Sequence, residues 1–197
     1  MFTELRHSLR PAIVLLVLTT LVTGLLYPAL VTGLAQVALP RQANGSLVQD
    51  GDRVVGSSLI AQNFAAPRYF HPRASAAGKD GYDASSSAGT NLAPGAKDLA
   101  DAVGKRVAQA RAEGFTGPVP ADLVTTSASG LDPDLSPAAA LAQVPRVAAA
   151  RGLDQRRVQT LVQEFIERPA LGIIGEPRVN VLLLNRQLDA VSANRTR

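Results

Sequence analysis

Between Arg10 and Arg41 the chain carries no charged residue. The run from Ile13 to Leu39, IVLLVLTTLVTGLLYPALVTGLAQVAL, exceeds the roughly 20 apolar residues that cross a bilayer, and no other feature constrains the fold as tightly. It predicts a transmembrane helix over residues 11–37, preceded by a cytoplasmic tail, 1–10, and followed by a separate domain, 42–197. Gly33-Leu34-Ala35 offers a small-x-small cleavage site, but the run is about twice the length of a signal-peptide core, which favours an uncleaved anchor. Arg6 and Arg10 precede the span and only Arg41 follows it closely, so the positive-inside rule puts the N-terminus in the cytoplasm and the domain outside. Thr19, Thr20, Thr23, Gly24, Thr32 and Gly33 suit a packing face against other membrane helices and equally suit ordinary tolerance in lipid. Pro28 is expected to loosen the helix, since it lacks an N–H and crowds the carbonyl four residues back.

From residue 42 onward there are 17 Lys+Arg and 15 Asp+Glu, too balanced for a nucleic-acid footprint. The absence of Cys excludes disulfides, thiolate metal sites and cysteine nucleophiles. With only His7 and His71, no cluster of histidine ligands can form. Asp50-Gly51 between apolar pairs signals a hairpin. The segment from Pro67 to Lys97 is rich in Ala, Ser, Gly and Pro and lacks periodicity. Its aromatics, Tyr69, Phe70 and Tyr82, argue against simple disorder, and they are expected to anchor an interface that orders the segment against a partner. A helix is predicted from an Asp98 cap to Gly114, a strand over Val119–Thr126, and a helix from Ser136-Pro137 that Pro145 kinks or restarts. An Asp154-capped amphipathic helix buries Val158, Leu161, Val162, Phe165 and Ile166, and Val179–Asn185 reads as a buried strand. The order of elements favours α+β, with α/β as the alternative.

Chemistry-bearing motifs are few. Gly78-Lys79 and Gly104-Lys105 are followed by Asp80 and Arg106 where a phosphate-binding loop needs a hydroxyl, and the usual hydrolase, zinc and dinucleotide signatures are missing. A Ser–His arrangement would rest on His71 with Ser127 or Ser129. Three stretches stand out. Thr125–Pro137 strings hydroxyls, Gly130 and Asp132-Pro133 between a predicted strand and a helix, either as a well-capped connection or as donors aimed at a polar group. Gln143, Arg146 and Arg151 lie on related helix faces, suited to an anion or carboxylate or to plain solvation. Gly175–Asn180 sets Glu176, Arg178 and Asn180 at a strand entry, either as a site or as a turn with a local ion pair.

These stretches, behind one N-terminal span, resemble the C subunit of the bacterial potassium-transporting P-type ATPase, the KdpC family, over nearly the whole chain. The residues that carry the resemblance are Gly56–Phe64, Tyr69–Ala76, Tyr82-Asp83 with Ser87–Leu92, Thr126–Pro137, Gln143–Arg151 and Gly175–Asn185. Ala61, Ala74, Gly89-Thr90 and Ala128 depart from the family's usual residues. The resemblance implies a non-catalytic subunit of a complex that hydrolyses ATP to import K⁺, needed for assembly and described as a catalytic chaperone that raises ATP affinity. Its implied partners are a channel-like potassium-binding subunit, a P-type ATP-hydrolysing subunit and a small fourth subunit. ATP, K⁺ and Mg²⁺ would belong to the complex, with no cofactor held by this chain alone.

Within the family pattern Gln143 corresponds to a nucleotide-related position. Ser57, Gln62, Phe70, Arg73, Tyr82, Asn91, Ser129, Gly130, Leu131, Asp132, Arg146, Arg151, Glu176 and Asn180 are candidate interface or motif residues. The expected location is the bacterial plasma membrane, with residues 42–197 outside and any effect on ATP exerted through the partners. A net charge of +2 would not concentrate cations, which favours covering or gating a K⁺ entrance over attracting the ion. The competing readings are an anchored hydrolase using His71 and a small-ligand binding module.

Overall fold

A computed structural model describes residues 2–193; Met1 of the predicted tail and residues 194–197 of the predicted domain lie outside the described residues. The chain divides into two compact units, residues 1–54 and 55–197. In the first, helix α1 (Phe2–Leu21) passes through a π-helical turn, Val22–Leu26, into α2 (Tyr27–Ala38). The turn sits where Pro28 requires it. The Tyr27 N–H reaches back five residues to the Val22 carbonyl, and this extra residue makes room for a proline ring that would otherwise press on the preceding turn. The apolar helix Arg6–Ala38 spans 33 residues and contains an 18-residue window of mean hydropathy 2.2, none of it buried in the protein, so by length and composition it can cross a membrane. The hydroxyls of Thr19 and Thr23 bond to carbonyls of their own helix, Leu15 and Thr19 respectively. A short helix α3 (Pro40–Ala43) follows, then the expected hairpin of β1 (Leu47–Asp50) and β2 (Arg53–Ser57). Asp50 closes β1, and the turn is made by Gly51, at φ +58°, and Asp52.

The second unit is built on α6 (Pro137–Arg151) packed against α7 (Gln155–Glu164). The Ser136 hydroxyl accepts from the Ala139 N–H and Asp154 accepts from the Arg157 N–H, so both predicted caps are in place. α6 does not restart at Pro145; it runs unbroken to a left-handed Gly152. Three short antiparallel strands lie against this pair in the order β3 (Asp134–Leu135), β5 (Arg178–Asn180), β4 (Ile166–Glu167). Val179 is opposite both Leu135 and Ile166. The core joins Phe70, Leu135, Val144, Val147, Val158, Val162, Val179, Leu184 and Leu188. The antiparallel sheet makes the class α+β and removes the α/β alternative.

Three predicted elements differ. Val119–Thr126 is not a strand, because Pro118 and Pro120 cannot donate to a ladder. Instead α5 (Ala121–Val124) forms one turn, and only Thr126 bridges, to Ala74. Val179–Asn185 stays extended only to Asn180. There the Asn180 side-chain oxygen accepts from the Leu183 N–H and starts helix α8 (Val181–Ala193), whose Val181, Leu184 and Leu188 are buried at helical spacing. Helix α4 (Lys97–Ala112) is capped at Ala96 without a side-chain bond, leaving Asp98 in its first turn, where a negative charge favours the helix dipole.

Candidate functional site

The irregular segment before α4 is ordered by the domain's own helices. Phe70 is fully buried in the core, which overturns its expected role as an interface anchor: an aromatic with no exposed surface stabilises its own fold. Its own backbone and that of the next residue are held by side-chain amides that imitate a neighbouring strand. Asn185 of α8 accepts from the Phe70 N–H at 2.8 Å and donates to the Phe70 carbonyl at 2.9 Å. Gln143 of α6 does the same for the next residue, accepting from the His71 N–H at 2.8 Å and donating to the His71 carbonyl at 3.0 Å. Buried backbone groups need such partners, and here two helices supply them.

The arginines predicted beside Gln143 belong to the same grip. Arg146 donates to the carbonyls of Pro67 and Tyr69 and, at 2.6 Å, to Gln143 Oε1. The Arg151 side chain, 2% exposed, donates to the Arg68 carbonyl, to Asp189 at 2.8 Å and to Ser192, with its guanidinium 4.9 Å from the centre of the Tyr69 ring. The Tyr69 hydroxyl is 3.2 Å from Asp189. Gln143, Arg146 and Arg151 are thus brought together as expected, around the chain's own residues 67–71.

A second knot joins the hydroxyl-rich stretch to residues 73–89. Arg73 pairs with Asp132 at 3.0 Å, Ser75 donates to the Gly130 carbonyl at 2.5 Å, Ser87 donates to the Ser129 carbonyl, and the Ala61 N–H donates to the Leu131 carbonyl. Tyr82, half-buried with its backbone at φ +58°, donates its hydroxyl to the Arg73 carbonyl; burial pushes its phenol pKa up, with Arg106 opposing. Gly130 is required at φ +67°, since a Cβ there would lie 2.6 Å from the Ala88 carbonyl oxygen. Gln62 donates to the Val55 carbonyl, Ser57 Oγ accepts from the Leu59 N–H, and Asn180 donates to the Ser58 carbonyl. Asn91 is exposed, at φ +52°. Glu176 is exposed too. The expected local pair with Arg178 is replaced by bridges from Arg178 to Glu167 and Asp134, at 3.0 and 3.3 Å.

Beneath α4 lies a cleft of about 300 Å³, walled by Arg106, Gln109 and Glu113 on one side and by Phe64, His71 and Gln143 on the other. Glu113 at the end of α4 approaches His71 Nδ1 at 3.7 Å and Arg146 Nε at 3.5 Å, while Arg146 Nη1 lies 3.3 Å from His71 Nε2. Burial, then the Arg146 charge, lowers the His71 pKa, partly offset by the Ala66 carbonyl and Glu113. A neutral imidazole is favoured, with Nε2 set between the Arg146 guanidinium and the Ala66 carbonyl 3.2 Å away: one tautomer accepts from Arg146, the other donates to Ala66. Burial also lowers the Arg146 pKa, with Glu113 opposing. The polar neighbours of the His71 ring include neither Ser127 nor Ser129. Among the described residues, no group of three or more His, Cys, Asp or Glu could hold a metal ion.

Glu113, Asn185 and Asp189 escaped the sequence reading. Asn185 and Asp189 are four residues apart and share one face of α8, a relation hidden while the start of that helix reads as a strand. Glu113 carried no local signal, since its partners lie on other elements.

One helix long and apolar enough to cross a membrane, followed by an α+β domain that turns its polar side chains onto its own backbone, defines the class of chain. A family model described as KdpC: K⁺-transporting ATPase, c chain matches residues 9–190. The sequence is 56% identical over 183 residues to the potassium-transporting ATPase KdpC subunit of Caulobacter vibrioides, covering 92% of each chain. It is 53% identical over 188 residues to that of Gemmatimonas aurantiaca, covering 95% of this chain and 94% of the relative. Against the Rhodospirillum rubrum subunit it is 55% identical over 185 residues, covering 93% and 95%. The chain belongs to the KdpC family.

Proposed function

We propose that this chain is a non-catalytic subunit of a membrane complex that imports K⁺ at the expense of ATP. It is held by one span with its N-terminus in the cytoplasm, and its domain acts from the extracytoplasmic face to assemble and stabilise a potassium-binding channel-like subunit and an ATP-hydrolysing P-type subunit, with a small fourth subunit as a further partner. The relatives' names carry the potassium-transport context, and the arginines flanking the span favour the orientation. The observation that carries the scaffold reading is the fate of Gln143. At 1% exposure, both ends of its amide are consumed by His71 and Arg146, so nucleotide contact there would require breaking the grip on residues 67–71. Any influence on ATP affinity then acts through the partner subunits as a coupling between distant sites.

The hydrolase alternative is disfavoured because the His71 ring is engaged by Arg146, Glu113 and the Ala66 carbonyl. Topology tests the reading directly. Single cysteines at Asp80 and Glu176, both exposed, in this Cys-free chain should react with a membrane-impermeant maleimide in intact cells. Labelling only after lysis would put the domain in the cytoplasm and restore direct nucleotide contact.

A further inference from the structure

The connection between β4 and β5 ends in a tip whose composition and conformation both work against the isolated domain. Ala170 and Ile174 exchange two backbone hydrogen bonds of 2.9 Å, closing a tight loop in which Leu171 and Gly172 are left-handed, at φ +54° and +76°. A bulky residue is disfavoured at positive φ, where Asn or Gly is the ordinary choice. Leu171 is nevertheless there, 89% exposed, beside Ile173 at 83% and Ile174 at 61%. Three large aliphatic side chains on a rigid, strained turn gain little from their own fold, so their compensation comes from outside it.

The charges around the tip indicate what covers it. Glu167, Arg168, Glu176 and Arg178 are exposed on the two segments that lead into and out of the tip, with Arg178 bridged to Glu167, so the rim carries both signs in equal number. An anionic lipid surface selects a cationic rim, whereas an apolar centre bordered by mixed charges is the anatomy of a protein–protein contact. We infer that the 170–174 tip is a preformed apolar knob that docks into an apolar pocket, rimmed by charges of both signs, on another subunit of the complex. This rests on the reading of the chain as a subunit. The backbone bonds across the loop hold the aliphatics in place before binding, which limits the ordering entropy lost on docking.

The test uses the full chain expressed with its complex in native membranes, with a photo-crosslinking amino acid at position 173 and, separately, the variant Leu171→Asn/Ile173→Asn/Ile174→Thr. The expected results are a crosslink to another polypeptide of the complex and at least a tenfold loss of co-purifying partners. The purified variant in detergent should unfold no earlier than wild type, because Asn at position 171 relieves the left-handed backbone. A crosslink to lipid alone or to a second copy of this chain, or partner recovery equal to wild type, would overturn the inference. If the wild-type chain brings no partner, it is the subunit reading that falls, and this inference with it.

Discussion

Replacing Gln143 by Leu, close in volume but unable to hydrogen-bond, separates a structural role from a nucleotide-contacting one. The substitution removes the bonds to the His71 N–H and carbonyl and the 2.6 Å bond from Arg146. Each buried backbone group left without a partner costs about 1–3 kcal/mol. Two such groups, discounted because His71 is only half-buried and water can reach part of the site, give a loss of about 2–4 kcal/mol. That is a substantial share of the roughly 5–15 kcal/mol that holds an ordinary domain together. Urea unfolding of the full chain in detergent should therefore show a clearly lowered midpoint with an unchanged slope. Asn185→Leu should cost a similar amount, since its bonds to Phe70 are equally short and more deeply buried. The two amides hold consecutive residues of one segment, so the double variant should lose at least 1 kcal/mol less than the sum of the single losses. An unchanged midpoint for Gln143→Leu, together with a weakened ATP affinity of the assembled complex, would refute the structural account and leave direct contact standing.

Phe70→Ala should destabilise the isolated chain by about 3–5 kcal/mol as a core truncation, measured by the same unfolding assay; a surface anchor would lose partners without this loss. Gly130→Ala, which forces a Cβ against the Ala88 carbonyl at φ +67°, should cost at least about 2 kcal/mol, seen as a lowered thermal midpoint. The lowered His71 pKa means that the unfolded chain binds the proton more tightly. This contribution is complete above pH about 6.5 and is lost as pH falls from there through the folded value. Thermal midpoints between pH 8 and 5 should show that decline in wild type and a flatter profile in His71→Gln.

Sequence alone determined whatever depends on neighbours along the chain. The uncharged run predicted the long apolar helix, Pro28 its disturbance, Asp50-Gly51 the hairpin, and Ser136 and Asp154 the caps of the two core helices, because a span, a turn and a cap each draw on a few consecutive residues. Apolar spacing misled where two periods overlap. Val179–Leu184 is apolar at every position but Asn180, so nothing local tells a strand from the first turn of a helix, and only the carbonyl of Pro133, which accepts from the Val181 N–H, and the Asn180 cap decide it. The Gln143–Arg151 motif was legible as a cluster, but its target was not. Whether three polar side chains face an anion, water or the chain's own carbonyls depends on what packs opposite them. Tertiary structure places residues 67–71 there, buries Phe70 in the core that α6 and α8 share, and brings Glu113 to His71 and to Arg146 from far along the chain on either side. Hydrogen-bond partners distant in sequence are chosen by packing, and no local pattern records that choice.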